Sequence, residues 1–151
     1  MVKRIFDILF SIIGLIFFSP CFLLVSILIK VDSKGPVFFL QERVGRNGVL
    51  FKIIKFRSMI TDQNYNSTIT TANDNRITTI GKIIRKLKID ELPELLNILI
   101  GNMSFVGPRP DVPGYADLLE GEDRLILKLK PGITSLASLK YVNEEAILAS
   151  V

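Results

Sequence analysis

Two carboxylates stand side by side at Asp90 and Glu91, and the chain offers few other groups that could do covalent chemistry. Its 151 residues contain no histidine, and the single cysteine, Cys21, lies inside a long apolar run. Nucleophilic work is left to carboxylates, hydroxyls or lysine. A neighbouring pair can divide that work, one oxygen attacking while the other holds a hard cation such as Mg2+, which typically takes one or two carboxylates together with substrate phosphates. A zinc site has almost no ligands to draw on. Cations suited to phosphate accompany the pair. Lys55 and Arg57 lie in "KFR", Arg85 and Lys88 shortly precede the carboxylates, and Arg109 is braced between Pro108 and Pro110 in "GPRP". A guanidinium between two prolines loses little freedom on binding and matches phosphate bidentately. The plainer alternatives are helix capping by Asp90 and Glu91, a structural ion pair between Arg109 and Glu91, and a solvated strand edge carrying Lys55 and Arg57.

Several elements must position these residues. "DELPELLNILIG" reads as a helix starting near Asp90, with Pro93 in the first turn, where its missing donor costs nothing, and Gly101 as the stop. Ahead of it Ile77, Ile80, Ile83, Ile84 and Leu87 share one face of a basic amphipathic helix. Residues 36–56 predict a β-hairpin turning at "GRNG", with Asn47-Gly48 the strongest turn signal. The polar stretch 61–76 reads as a loop. A weaker helix is expected from Val112 to Leu119, then a short helical stretch, a Pro-Gly turn and a strand through "GEDRLILKLKPGITS". The fold class expected is α+β, with the hairpin and interfacial helices packed as one compact domain.

Ile8 to Ile29 is free of charge, 22 residues that would reach roughly 33 Å as a straight helix, about the thickness of a bilayer core. Ser19-Pro20 interrupts it at the centre, where proline removes a donor and crowds the carbonyl four residues back. Lys3 and Arg4 stand before the run, and Lys30 and Lys34 after or at its end, so the positive-inside tendency draws both ends to the cytoplasm. A re-entrant hairpin and a kinked spanning helix both remain open on these grounds. Residues 35–88 carry ten Lys or Arg against three Asp or Glu, and lipid headgroups are the anion that an attached membrane segment favours. Nucleic acid is disfavoured as a partner, because the aromatics sit mainly in the membrane and hairpin segments and do not interleave with the basic residues.

In order through the chain, "KRIFDI" before the broken apolar run, "QERVGRNGVLFKIIKFRSM", "RITTIGKIIRKLKIDELPELLNIL", "GNMSFVGPRP" and "LKPGIT" resemble the bacterial sugar transferases, the monotopic polyprenol-phosphate phosphoglycosyl transferases. The resemblance implies a re-entrant helix-break-helix over 1–34, broken at Ser19-Pro20, and a catalytic domain over 35–151 on the cytoplasmic face of the bacterial inner membrane. It implies transfer of a phosphosugar from a UDP-sugar to polyprenol (undecaprenyl) phosphate, with UMP released and Mg2+ required. Asp90 would be the nucleophile that carries the phosphosugar, Glu91 its partner, and Arg109 a contact to nucleotide phosphate with Lys55 and Arg57 nearby. Self-association is left open.

The chain departs from the family pattern at Lys88, where a small hydroxyl residue is usual, at Glu94 (usually Gln), Asn102 (usually Asp) and Ser135 (usually Gly). The resemblance also leads one to expect family segments beyond Val151. A chain lacking them sets up the rival expectation, a catalytically silent membrane-associated scaffold that keeps the fold.

Overall fold

A computed structural model describes residues 2–60, 74 and 76–135. The stretch read as a polar loop lies, apart from Asp74 and Arg76, outside the described residues. The architecture is mixed helix and strand with two small sheets.

The chain begins with α1 (Val2–Phe17) and α2 (Ser19–Asp32), bent by 60° at the break. Pro20 has no N–H to offer the carbonyl of Ile16, and the Ser19 hydroxyl donates to that oxygen instead at 2.8 Å. Among the described residues no single helix is long and apolar enough to cross a membrane, but the bent pair together has the length and composition. One stripe of α1 is polar and turned inward. Asp7 and Ser11 are buried, and Asp7 accepts from the Ser104 hydroxyl at 3.0 Å and the Phe105 N–H at 3.3 Å. Arg4 donates to the carbonyls of Ile98 and Leu99. Much of the rest of both helices, including Phe6, Leu9, Ile13, Phe17, Leu24 and Ile27, is apolar and exposed.

Strands β1 (Phe38–Val44) and β2 (Leu50–Phe56) form the expected antiparallel hairpin, Phe38 opposite Phe56 and Val44 opposite Leu50. Its turn holds Asn47 in the left-handed region at φ 60°, which asparagine tolerates well. Helix α3 (Thr79–Lys86) starts at a Thr78 cap that accepts from the Gly81 N–H, while Asp32 at the end of α2 accepts from the Ile80 N–H. Ile84 is buried and Ile80 packs on the core, but Ile83 and Leu87 stay exposed, so the apolar face is divided between core and surface.

The helix expected from Asp90 starts later. Ile89–Glu91 is a separate 3-10 turn, and α4 runs from Glu94 to Ile100. Pro93 is the reason: it cannot donate to the Ile89 carbonyl, which is taken by the Leu92 N–H in a tight i→i+3 bond. Gly101, at φ 106°, ends α4 as expected. The helix expected over Val112–Leu119 shrinks to a 3-10 turn, Ala116–Leu118. Pro113 and Gly114 at φ 96° break its start, and the Asp117 carboxylate accepts from the Gly114 N–H instead. A further 3-10 turn, Asp123–Lys128, leads to β4 (Gly132–Thr134), which pairs in parallel with β3 (Ser104–Val106).

Three apolar clusters hold these pieces together. Val25 and Ile29 of α2 meet Phe56 and Ile84. Ile53 meets Leu95, Ile98 and Met103, with Leu15 of α1 alongside. Val44 meets Ala116 and Leu127. Between the second cluster and the free edge of β2, buried Asn97 accepts from the Ile54 N–H and donates to the Lys52 carbonyl. That clamp fixes α4 against the strand that carries Lys55.

Candidate active site

Lys55 leaves β2 toward the turn that precedes α4, and its ammonium donates to Glu91 Oε1 at 2.7 Å. The same ammonium lies 3.1 Å from Glu94 Oε1. One lysine therefore faces two carboxylates of unequal depth. Glu94 is 3% exposed, and its burial, with Glu91 nearby, pushes its pKa up to about 7 against the pull of Lys55. Glu91 moves the other way. Burial works to raise it, but the charge and hydrogen bond of Lys55, with help from Arg109 and Lys88, hold it below the ordinary range. The short Glu94–Lys55 distance and the raised Glu94 pKa are reconciled if Lys55 neutralises Glu91 first, leaving the deeper carboxyl to take up a proton near neutral pH.

Asp90 stands next to this group on the 3-10 turn. Its Oδ1 is buried and has no hydrogen-bond partner among the described residues. Desolvation, followed by the Glu91 charge, raises its pKa, with Lys55, Arg85 and Lys88 opposing. An unpaired buried carboxylate oxygen is costly, and it is also a basic one held ready for an electrophile or a cation. Lys88 is left-handed at φ 57°, which reverses the chain between α3 and the turn and brings Asp90 back toward β2.

Arg109 is exposed and makes no hydrogen bond or ion pair among the described residues, yet its charge is felt at Glu91, Glu94 and Arg43. Its loop is fixed by backbone contact. Gly107 and Gly132 press so closely that a Cβ on either would meet the other strand, and the Pro108 carbonyl accepts from the Gly132 N–H. Pro110 is buried, and its carbonyl accepts from Arg43 Nη1 at 3.2 Å. The plain alternative for Arg109, an ion pair with Glu91, is not formed; Lys55 occupies that role.

Arg57 is not part of this group. It is buried at 4% exposure, and its guanidinium donates to the carbonyls of Ile29, Ser33 and Lys34 and to the Ser33 hydroxyl, closing the end of α2. Two residues that the sequence reading gave no role join the site. Glu94 was legible in part, lying one helical turn from Asp90 and Glu91. Arg43 carried no such signal, since nothing in "QERV" separates it from Glu42.

Among the described residues no three His, Cys, Asp or Glu side chains converge as a ready ion cage. The unpaired Asp90 oxygen stands beside Glu91, a carboxylate pair of the kind that a hard cation can take together with phosphates.

The family model for "Bacterial sugar transferase" matches residues 1–150. The chain belongs to the bacterial sugar transferase family. It is 38% identical over 160 aligned residues to the exopolysaccharide production protein ExoY of Rhizobium meliloti (strain 1021), covering 95% of this chain and 71% of that protein. It is 42% identical to the UDP-N-acetylgalactosamine-undecaprenyl-phosphate N-acetylgalactosaminephosphotransferase of Aeromonas hydrophila, covering 93% of this chain and 34% of that one. With the UDP-glucose:undecaprenyl-phosphate glucose-1-phosphate transferase of Escherichia coli (strain K12) it shares 40% identity, over 92% and 31% of the two chains. The resemblance carried by the ordered motifs is thus shown, and the chain is a transferase by family.

Proposed function

We propose that the protein transfers a sugar phosphate from a UDP-sugar to undecaprenyl phosphate, in two steps through Asp90. The observation that carries this reading is the buried, unpartnered Asp90 Oδ1 beside a glutamate held ionised by Lys55, in a chain that matches the family along its length. In the first step Asp90 attacks the phosphorus that bears the sugar, the bond to the bridging oxygen breaks, and UMP leaves. In the second, an oxygen of undecaprenyl phosphate attacks the same phosphorus and frees Asp90. Splitting the transfer lets the soluble nucleotide depart before the lipid phosphate arrives.

Lys55 holds Glu91 in its anionic form and in position, while Arg109 and Lys88 supply positive charge for phosphate oxygens. Asp90 and Glu91 would hold Mg2+ together with the donor's phosphates, and the ion when bound neutralises charge on the reacting phosphoryl group. Burial raises the basicity of Asp90, which favours attack once the carboxyl is ionised.

The membrane reading is a re-entrant pair over residues 1–34 with residues 35–151 on the cytoplasmic face. Both ends of the pair are tied to one body: Arg4 and Asp7 to α4 and β3, and Ile29, Asp32 and Ser33 to Arg57 and α3. Such ties favour both ends on one side of a membrane, with the exposed apolar faces in lipid. The test of function is intact mass after mixing purified protein with UDP-glucose or UDP-N-acetylgalactosamine and Mg2+, without lipid acceptor. A sugar-phosphate adduct on a peptide containing Asp90 with about one equivalent of UMP released, and continued UMP release once undecaprenyl phosphate is added, are expected. Neither adduct nor UMP from any UDP-sugar would leave the silent scaffold as the better reading.

A further inference from the structure

The β-hairpin meets both halves of the candidate site with one face. Side chains alternate along a strand, and the register sets Phe39 opposite Lys55, Gln41 opposite Ile53 and Arg43 opposite Phe51. Gln41 and Arg43 therefore share a face with Ile53 and Lys55. Helix α4 covers that face, with Leu95 and Ile98 packed on Ile53. At one end Lys55 reaches the carboxylates of Glu91 and Glu94. At the other end Arg43 reaches the Pro-Arg-Pro loop: its Nη1 donates to the Pro110 carbonyl at 3.2 Å, and its Nη2 to Gln41 Oε1 at 2.7 Å.

The bond to Pro110 is not what attaches the loop. The Val44 N–H already donates to the Asp111 carbonyl at 2.8 Å, and the Gly132 N–H to the Pro108 carbonyl at 2.9 Å. Those backbone bonds hold the chain on either side of Arg109. Arg43 adds a grip on the residue that directly follows Arg109, and it adds a positive charge. A neutral donor would give the same bond at lower cost. Arg43 is half-buried, and its Nε is enclosed without a partner among the described residues. Burial, followed by the charge of Arg109, lowers its pKa, while Asp111 and Glu94 act the other way. Arg43 thus repels Arg109 and is attracted to Glu94. Arg109 in turn is exposed and unpaired among the described residues, although its charge is felt at both Glu91 and Glu94.

We propose that Arg43 is a positioning residue of the transfer reaction: by holding the Pro110 carbonyl and placing a cation behind the loop, it keeps the Arg109 guanidinium from collapsing onto the carboxylates and available to the donor's phosphates. The proposal rests on the function proposed above. Arg43 touches no substrate, and its two terminal nitrogens are spent on Pro110 and Gln41. Its effect is carried entirely by Arg109, and that dependence separates it from a residue that merely supports the fold.

The experiment is a double-mutant cycle on the full chain in nanodiscs, reading UDP affinity, kcat/KM for UDP-glucose and UDP-N-acetylgalactosamine, and the KM of undecaprenyl phosphate. Arg43→Met should weaken UDP binding and lower the donor kcat/KM about tenfold, the equivalent of 1.4 kcal/mol. Arg43→Lys, which keeps the charge and one donor, should recover part of that loss, and the undecaprenyl phosphate KM should not move. In an Arg109→Ala background Arg43→Met should cost nothing further, because coupled residues are not additive. Losses that multiply in the double variant would overturn the proposal and leave Arg43 a structural tie. Unchanged UDP affinity in Arg43→Met or in Arg109→Ala overturns it as well. If Arg43→Met does not fold, the same cycle run with Arg43→Lys decides by the same criterion. If no UDP-sugar is turned over while UDP binding still shows the coupling, the positioning role stands and the functional reading falls.

Discussion

Lys55 and Arg57 stand two residues apart, and their surroundings could hardly differ more. Arg57 is enclosed at the end of α2, where four oxygens receive its terminal nitrogens. Asp7 and Arg4 on α1 are matched in the same manner, each to backbone groups of α4 or β3. Around Lys55 the matching is incomplete. One ammonium serves two carboxylates, Asp90 Oδ1 has no partner, and Arg109 has none either among the described residues. Arg57 leaves only its Nε unmet. Buried polar groups normally find partners because leaving one out costs about 1–3 kcal/mol. A seam that meets the rule is holding helices in place, and a cluster that breaks it is waiting for a ligand.

The comparison is tested most strongly by exchanging the roles. Asp90→Asn keeps the shape of the side chain and removes the nucleophile, so turnover should fall by at least a thousandfold, about 4 kcal/mol, with no loss in melting temperature. Removing an unpaired buried charge should, if anything, raise it. Arg57→Ala should do the reverse, lowering stability by about 3 kcal/mol through lost hydrogen bonds to the end of α2, while the fraction still folded retains its turnover number. A folded Arg57→Ala protein with normal stability and no activity would move Arg57 into the site and dissolve the contrast.

Glu94 lies between the two cases, buried like the seam but poorly matched like the site. Its folded pKa of about 7 is above the ordinary 4.5. The stability associated with this group is therefore full below pH 4.5 and is lost as pH rises through 7. Glu94→Gln should remove that loss. Its unfolding free energy should track that of the unmodified protein near pH 5 and exceed it near pH 8, by an amount on the order of 2–3 kcal/mol. Equal pH profiles for the two proteins would show that Glu94 stays ionised as a full partner of Lys55.

How much of this was legible depended on whether the signal was local. Asp90, Glu91, Lys55 and Arg109 stood out by residue type and close company, and the hairpin by Asn47-Gly48. The bend at Ser19-Pro20 followed from one missing donor. Arg57 misled because "KFR" presents two cations together, whereas the carbonyls that claim one of them come from residues 29–34. Arg43 went unnoticed for the same reason, since its neighbour Arg109 is remote in sequence. The start of α4 and the missing helix at 112–119 were errors of a different kind. Pro93 reads as compatible with a helix start, but its lost donor tightened the chain into a turn, and at 112–119 Gly114 in the left-handed region broke the start.

Arg109 offers the smallest and sharpest test, because it is exposed and holds nothing in the fold. Arg109→Ala should lower kcat/KM for the UDP-sugar about 30-fold, near 2 kcal/mol, which is the range for one charge-assisted phosphate contact. Arg109→Lys should recover only part, since an ammonium cannot match phosphate with two parallel bonds. The melting temperature should not move in either variant. Glu91 should also become slightly easier to protonate without the guanidinium, as the Arg109 charge is one of those holding it ionised. The acid limb of the rate profile should then shift to higher pH. A fall in stability equal to the fall in activity would place Arg109 with Arg57 among the structural cations, and the distinction between matched seam and unmatched site would then rest on Asp90 alone.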